Sequence, residues 1–385
     1  MDSEQKITPW EVTGEIVEGK NMAVDYEKII KNFGCQKIDE AILKRIEKII
    51  KKPVHHLLRR LLVFAHRDFN KILDLVETNK KFYLYTGRGP SSQSMHLGHA
   101  VPFLFCKYLQ DIFDVHLVIQ ITDDEKYLWK DLSLEDSIKF GKENMKDIIA
   151  FGFNPQKTFI FSNIEYSYKF IKNSLRISKH INLNEAIKVF GFDSTSNIGQ
   201  IEFPSKEIAP CFSSSFDFLE KNMMCLIPAA IDQDPYFRLA RDKAGILKEP
   251  KPATLYSGFL PDLKGLNTKM SASDTKSSIY LTDSDSVIKN KINKYAFSGG
   301  KDTLEEHRKY GGNIDVDVPF HYLKYFEEND EELEKYRTGY LDGSISTGEM
   351  KKKCIQVLQK FISNYRKARE NLTDEIIDKF TAFSK

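Results

Sequence analysis

From about residue 81 onward, short apolar runs of strand length alternate with longer tracts of helical period. "KFYLYTG", "VHLVIQI", "KTFIFSN", "MMCLIPAA" and "PATLYSGF" are separated by stretches such as "LEDSIKFGKENMKDIIAFGF". No other feature restricts the fold as much. Strands of a parallel sheet are covered on both faces by crossover helices, so they read as unbroken apolar runs. The expectation is an α/β domain over residues 81–284, with a Rossmann-like, doubly wound, mostly parallel sheet. In such sheets a ligand lies beyond the carboxyl ends of the strands. "YTGRG", "QITDDEK" and "AIDQDPYF" all fall at such ends, so their polar residues can converge on one crevice.

The flanks differ. Residues 1–80 read as an N-terminal extension packed on that domain: "ITPWEVTGE" as a short hairpin, "IDEAILKRIEKII" as a helix, and "HHLLRRLLVFAHRDFNKILDLVE" as a second helical stretch. After "KMSASD" and a strand-like "SSIYLTD", strand signals stop. Residues 285–385 are helical in period, which predicts an all-α C-terminal domain whose last residues can return to the preceding one. Its acidic run "EENDEELE" and its basic stretch "KKKCIQVLQKFISNYRKARE" have a plain reading as solvated helix faces.

The 57 basic and 55 acidic residues nearly cancel, so a nucleic-acid partner would have to be met locally rather than by a global field. Five scattered cysteines with no CxxC pair suit reduced thiols and supply no zinc framework. The polar opening "MDSEQKITPW" lacks the apolar core of a secretory leader, and no apolar run approaches the length of a membrane span. A cytoplasmic protein is the expectation.

Two stretches carry chemistry. In "SMHLGHA", His96 and His99 straddle the expected start of a helix. Three readings of the pair are open: a metal site, a satisfied structural pair, or an anion corner. A metal pair would want i, i+4 spacing and a third ligand, and none is near. An anion corner uses the unpaired N–H groups of the helix start, with Gly98 leaving room for a flat ligand and the imidazoles donating to phosphate oxygens. Pro102 fits early in that helix, where its missing N–H matters little. In "TKMSASD", Lys269 stands among hydroxyl-bearing residues; taken alone the stretch reads as an ordinary surface loop, and the other reading is a mobile lysine suited to gripping the phosphates of ATP as pyrophosphate leaves.

HLGH followed at this distance by KMSAS resembles the HIGH and KMSKS signatures of class I aminoacyl-tRNA synthetases. Within that class, "YTGRGPSSQSMHLGHAVPFLFCKYLQDIF", "VIQITDDEKYLWKDL", "CLIPAAIDQDPYFRLARD", "TKMSASDTKSSIYLTD" and "AFSGGKDTLEEHRKYGGNIDVDV" are similar to the eukaryotic tryptophanyl family across residues 85–318. The resemblance implies that 81–284 is the Rossmann-fold catalytic domain and 285–385 the anticodon-binding domain. It implies ATP with Mg²⁺, L-tryptophan and tRNA(Trp) as partners, and a homodimer with tRNA lying across both subunits.

By the same resemblance, Tyr85 and Gln120 bind the indole N–H, with Gly87 beside them. Glu125 holds the α-ammonium, helped by Gln233. Lys126 faces either the substrate carboxylate or a phosphate. His96 and His99 contact ATP, Gly98 lies against its adenine or ribose, and Lys269, Met270 and Ser271 form the phosphate loop. Arg88 is either a phosphate ligand or a salt-bridge partner. Trp10 belongs to a hairpin near the ATP site, and Asp232 and Asp234 fit as caps of the "PYFRLARD" helix. Ala272 stands where the broader class has lysine, which leaves Lys269 as the principal loop cation. The rival reading within the class is a tyrosyl enzyme, and outside catalysis a synthetase-derived binding protein.

Overall fold

Seven strands make the central sheet: β1 (Gln36–Lys37), β2 (Val63–Arg67), β3 (Phe82–Arg88), β4 (His116–Ile121), β5 (Thr158–Ser162), β6 (Met224–Ala230) and β7 (Ala253–Ser257). In the computed structural model, which describes residues 4–9, 12–17, 20–270, 274 and 276–382, their order is β1-β2-β7-β6-β3-β4-β5. The five strands from β7 to β5 are mutually parallel, and β1 and β2 extend the sheet antiparallel. Successive crossovers proceed outward from β3 to β5, then return to β6 and proceed the other way to β7. The winding therefore reverses between β3 and β6, as a doubly wound fold requires.

Six helices position the site: α1 (Leu97–Phe113), α2 (Asp123–Trp129), α3 (Leu134–Ile149), α4 (Ile198–Ile208), α5 (Asp234–Leu247) and α6 (Thr347–Glu370). Strand residues alternate between two cores. Phe82, Leu84, Leu117, Ile119 and Leu226 point to the face that also holds α1, α3 and the C-terminal helices. Tyr83, Tyr85, Val118 and Ile227 point to the opposite face, with Phe203 of α4 and Phe237 of α5. The period of two thus fixes which core each strand residue serves.

Pairing between β3 and β6 covers only Phe82–Leu84 with Met224–Leu226. Beyond these residues β3 stays paired with β4 as far as Arg88, and β6 with β7 as far as Ala230. The two strands part over their carboxyl-terminal halves, and a crevice opens there.

Several expectations need correction. "LLVFAHR" is no continuation of a helix: Val63–Arg67 is strand β2, flanked by the helices His56–Arg59 and Phe69–Glu77. The N-terminal 80 residues therefore contribute two strands to the sheet. "SSIYLTD" forms no strand; its Tyr280 makes a single bridge to His96. Pro102 is the sixth residue of α1, beyond the turn whose N–H groups would be unpaired anyway, so the Gly98 carbonyl lacks its usual helical donor. The acidic run is not a simple solvated face. Asp330 pairs with Arg59 and Arg60, which clamps the N-terminal segment to the helical C-terminal region, and Glu327 pairs with Lys353 inside that region. That region ends in the helix Asp374–Thr381, which packs on β5.

Asp234 makes no capping bond. Its carboxylate accepts from Arg67 Nε at 2.8 Å, from Arg67 Nη2 at 3.1 Å and from the Tyr256 hydroxyl at 2.6 Å, tying the start of α5 to β2 and β7. Removing one partner of a buried ion pair strands the other charge. Asp234→Ala is therefore expected to lower stability by about 3–5 kcal/mol in chemical denaturation; unchanged stability would count against this anchoring role.

Candidate active site

The crevice is a cavity of about 300 Å³ at the carboxyl ends of β3, β6 and β7, closed by the starts of α1 and α5. One end is the α1 start. His96 is its N-cap and is buried, and its ring stacks on that of His99 with centroids 3.5 Å apart and planes inclined by 22°. The His96 N–H donates to His99 Nδ1 at 3.3 Å, which fixes one ring against the helix turn. A Cβ on Gly98 would lie 3.1 Å from the His96 ring and 3.6 Å from Met270 Cβ, so any side chain there would close the corner.

Two strips of backbone hold this corner. Leu97 N–H donates to the Ile279 carbonyl and Leu281 N–H to the Met95 carbonyl, both at 2.9 Å. On the other side, Met270 N–H donates to the Leu260 carbonyl at 3.1 Å. The segment carrying the second signature is thus fastened at both of its ends, one of them directly to the first signature.

Behind the corner stands Arg88, buried, with Nε donating to Asn144 Oδ1 at 2.9 Å and Nη2 without a partner. Burial brings its guanidinium down to about 10, an effect opposed by Asp147 and Glu125. A buried cation with an unsatisfied N–H, lining a cavity, is suited to receive an anion. Asn144 also donates to the Ser92 carbonyl at 2.9 Å, and Asp147 accepts the Met95 N–H at 3.1 Å, so α3 shapes the loop between β3 and α1. Asp147 is held in turn by Arg369 of α6 at 2.6 Å, and its backbone carbonyl accepts the Tyr365 hydroxyl at 3.0 Å.

The other end is aromatic and acidic. Phe203, Tyr236 and Phe237 line it, and the Phe237 ring meets Tyr85 edge-on with centroids 6.3 Å apart. Glu125 Oε2 accepts from Thr122 at 2.7 Å and its Oε1 from Lys126 at 2.7 Å. Gly89 passes so close to this pair that a Cβ would sit 2.1 Å from Lys126 Cε. Gly87, Arg88, His96, Gly98, His99, Glu125, Lys126, Gln233 and Met270 all line the cavity.

Tyr85 and Gln120 do not line the cavity. Both are fully buried behind it, the Tyr85 hydroxyl against Gln120 Oε1 and, at 2.9 Å, the Glu207 carbonyl. Gln120 Nε2 donates to Asn163 at 2.7 Å, which turns its amide oxygen toward Tyr85. Gly87 is the gap in front of them: a Cβ there would stand 4.0 Å from the Tyr85 hydroxyl. Ser271 and Trp10 lie outside the described residues, as does the side chain of Lys269. Pro9 of the N-terminal hairpin lines the cavity, so the hairpin reaches it.

Glu207 is the site residue that sequence reasoning misses. It lies in the helical stretch "FPSKEIAPCF", where nothing local separates it from other acids. It lines the cavity, is buried, and its Oε2 has no hydrogen-bond partner.

A family profile described as tRNA synthetases class I (W and Y) matches residues 77–363. The tryptophan–tRNA ligase of Encephalitozoon cuniculi is 60% identical over 383 residues, 100% of each chain. The human cytoplasmic tryptophan–tRNA ligase is 52% identical, over 98% of this chain and 80% of its own length. Among solved structures, the E. cuniculi tryptophanyl-tRNA synthetase bound to tryptophan is similar with a TM-score of 0.86 at 56% identity, covering 94% of this chain and 100% of that one. A product-bound parasite tRNA synthetase reaches a TM-score of 0.91 at 50% identity, over 93% and 96% of the two chains. The chain therefore belongs to the class I tRNA synthetases of the tryptophan and tyrosine type. Within that class it is a member of the tryptophan–tRNA ligase family, and so an aminoacyl-tRNA synthetase that uses ATP.

Asn144 is the brace that joins Arg88 to the loop before α1. Asn144→Ala is expected to leave Arg88 Nε and the Ser92 carbonyl unpaired, which destabilises by about 1–3 kcal/mol and raises KM for ATP in steady-state exchange kinetics; an unaltered KM would mean that the brace does not set the phosphate end.

Proposed function

We propose that the cavity takes L-tryptophan at its aromatic end and ATP against the start of α1, joins them, and then charges tRNA(Trp). One tryptophan carboxylate oxygen attacks the α-phosphorus of ATP, the bond to the bridging oxygen breaks, and pyrophosphate leaves. A hydroxyl of the terminal tRNA ribose then attacks the acyl carbon, and AMP departs. The nucleophilic carboxylate is ionised at neutral pH, so the first step needs no general base and rests on positioning and charge stabilisation.

The observation that carries this reading is the continuity of two unlike ends in one cavity: an anion-receiving end with an unsatisfied Arg88 N–H, and an aromatic end rimmed by Glu125 and Glu207. Arg88, with the His96–His99 pair at the α1 start, receives phosphate. Gly98 and Met270 flank the adenosine. Lys269 and Ser271 follow the pyrophosphate, and Mg²⁺ brought in with ATP would help neutralise the charge of its phosphates. Among the described residues no group of three or more His, Cys, Asp or Glu side chains could hold a metal ion.

Glu125 and Gln233 take the α-ammonium, and Lys126 balances the carboxylate. Tyr85 and Gln120 offer oxygen acceptors to the indole N–H through the gap at Gly87. A donor-only indole requires such an acceptor in a dry pocket, and a site built around it discriminates against side chains that leave it unpaired. The relatives named tryptophan–tRNA ligase support this choice over tyrosine.

The helical region from residue 285 onward reads the anticodon in this proposal. Several of its basic groups are engaged internally, Lys353 with Glu327, Arg366 with Asp285 and Arg369 with Asp147. Exposed Lys352, Lys360 and Lys367 remain to meet phosphates. Two copies associate through the helices between β5 and β6, where Ile164, Tyr168, Ile171 and Leu175 recur every three or four residues and are all exposed. A cytoplasmic location follows the relatives, several of which are named cytoplasmic. No described helix is long and apolar enough to cross a membrane.

ATP–pyrophosphate exchange measured with each of the twenty amino acids is expected to respond to tryptophan alone. A response to tyrosine and not tryptophan would replace the substrate, and no response at all would leave a binding protein. Sedimentation velocity is expected to give a dimer for the wild type and a monomer for Leu175→Glu; a monomeric wild type would remove the association proposal.

A further inference from the structure

Glu207 is a carboxyl with no ion-pair partner inside a cavity that must accept a cation. Its Oε1 lies 3.6 Å from the place a Cβ on Gly87 would occupy, so the acid faces the gap in the cavity wall. Its Oε2 is buried and bonded to nothing. The neighbouring charges do not supply a counterion. Glu125 and Asp124, on α2, repel its charge. Lys126 attracts it but is held at 2.7 Å by Glu125, and Lys206, on Glu207's own helix, reaches Glu202 at 3.0 Å and Asp124 at 3.7 Å. Tyr85 on β3, whose hydroxyl hydrogen-bonds the acid and favours its charged form, and Tyr236 on α5 complete the surroundings without adding a counterion.

A buried carboxylate so placed favours its protonated form. Burial first, then Glu125 and Asp124, raises Glu207 to about 8, well above the ordinary carboxylate value of 4.5. The folded empty protein therefore holds this proton more tightly than the unfolded chain. Its stability from this group is highest below pH 4.5 and falls as the pH rises through about 8. A monovalent cation entering the same space reverses the balance, because it supplies the missing counterion.

We propose that Glu207 holds a proton while the cavity is empty and releases it to solvent as the α-ammonium of the amino acid enters, so that amino-acid binding and proton release are one event. This rests on the reading that tryptophan places its ammonium at the acid-rimmed end. It adds Glu207 to Glu125 and Gln233 as a group that positions the amino acid. It also makes occupancy of the site a function of pH near neutrality.

Calorimetric titration of the full chain with tryptophan alone, in two buffers of different ionisation enthalpy at pH 7, reads the proton directly. Asp124, which burial raises to about 6, is already mostly ionised there and does not confound the reading. The wild type is expected to release about one proton per tryptophan, and its affinity to rise about ten-fold per pH unit between pH 6 and 7, levelling above about 8. Glu207→Gln keeps the shape and hydrogen-bonding capacity but has no proton to lose. It is expected to bind tryptophan with no proton release at pH 7 and without the ten-fold rise in affinity per pH unit, while thermal unfolding confirms that it is folded. Glu207→Asp is expected to restore the release. A wild type that binds without releasing a proton, or a Glu207→Gln variant that still releases one, overturns the inference. A wild type that does not bind tryptophan at all sinks the substrate reading, and the inference with it.

Discussion

The parting of β3 from β6 is the constraint on which the site depends. The strands share a register for three residues and then diverge, each remaining paired on its outer side. Peptide groups on the inner edges are thereby freed at the point where the winding of the sheet reverses. Backbone groups that face a cavity without a partner strand must be satisfied by water or ligand. A continuous sheet would bury Gly87, Arg88, Ala229 and Ala230, whereas divergence exposes all four to one space.

Around this opening the charged groups are held by neutral or paired scaffolding. Arg88 rests on an amide, Glu125 on a hydroxyl and a neighbouring lysine, and Asp234 on a guanidinium and a phenol. None of these side chains is a loop residue free to swing. Each sits at a strand end or in the first turn of a helix; the partners of Arg88 and Asp234 come from other elements, and those of Glu125 from its own helix. The geometry is therefore set by the packing of whole elements rather than by local flexibility, which suits a reaction whose acceleration comes mainly from alignment.

Much of this is legible in the sequence, and the failures have physical causes. The five parallel strands announce themselves because burial on both faces demands unbroken apolar runs. Strand β2 does not, because "LLVFA" continues the apolar character of the helix before it, and periodicity alone cannot tell a buried strand from a buried helical segment. Tyr280 looks like part of a strand, but only one residue finds a partner. The signature histidines are picked out by the resemblance that HLGH and KMSAS carry together, since their spacing alone leaves three readings open. Glu207 is not, since its importance comes from facing an acid some eighty positions earlier in the chain across a space that only the fold creates. Tyr85 and Gln120 are legible as a pair, yet their retreat behind Gly87 depends on the tilt of two strands.

The long helix α6 has a mechanical consequence. It has 24 residues, so it extends for about 36 Å. Arg369, next to its last residue, grips the same Asp147 carboxylate that holds the Met95 N–H one residue before His96. A rod of that length converts a rotation of about 3° at its far end into a displacement of about 2 Å at Arg369. One carboxylate thus ties the C-terminal end of this helix to the residue that precedes the first histidine at the head of α1.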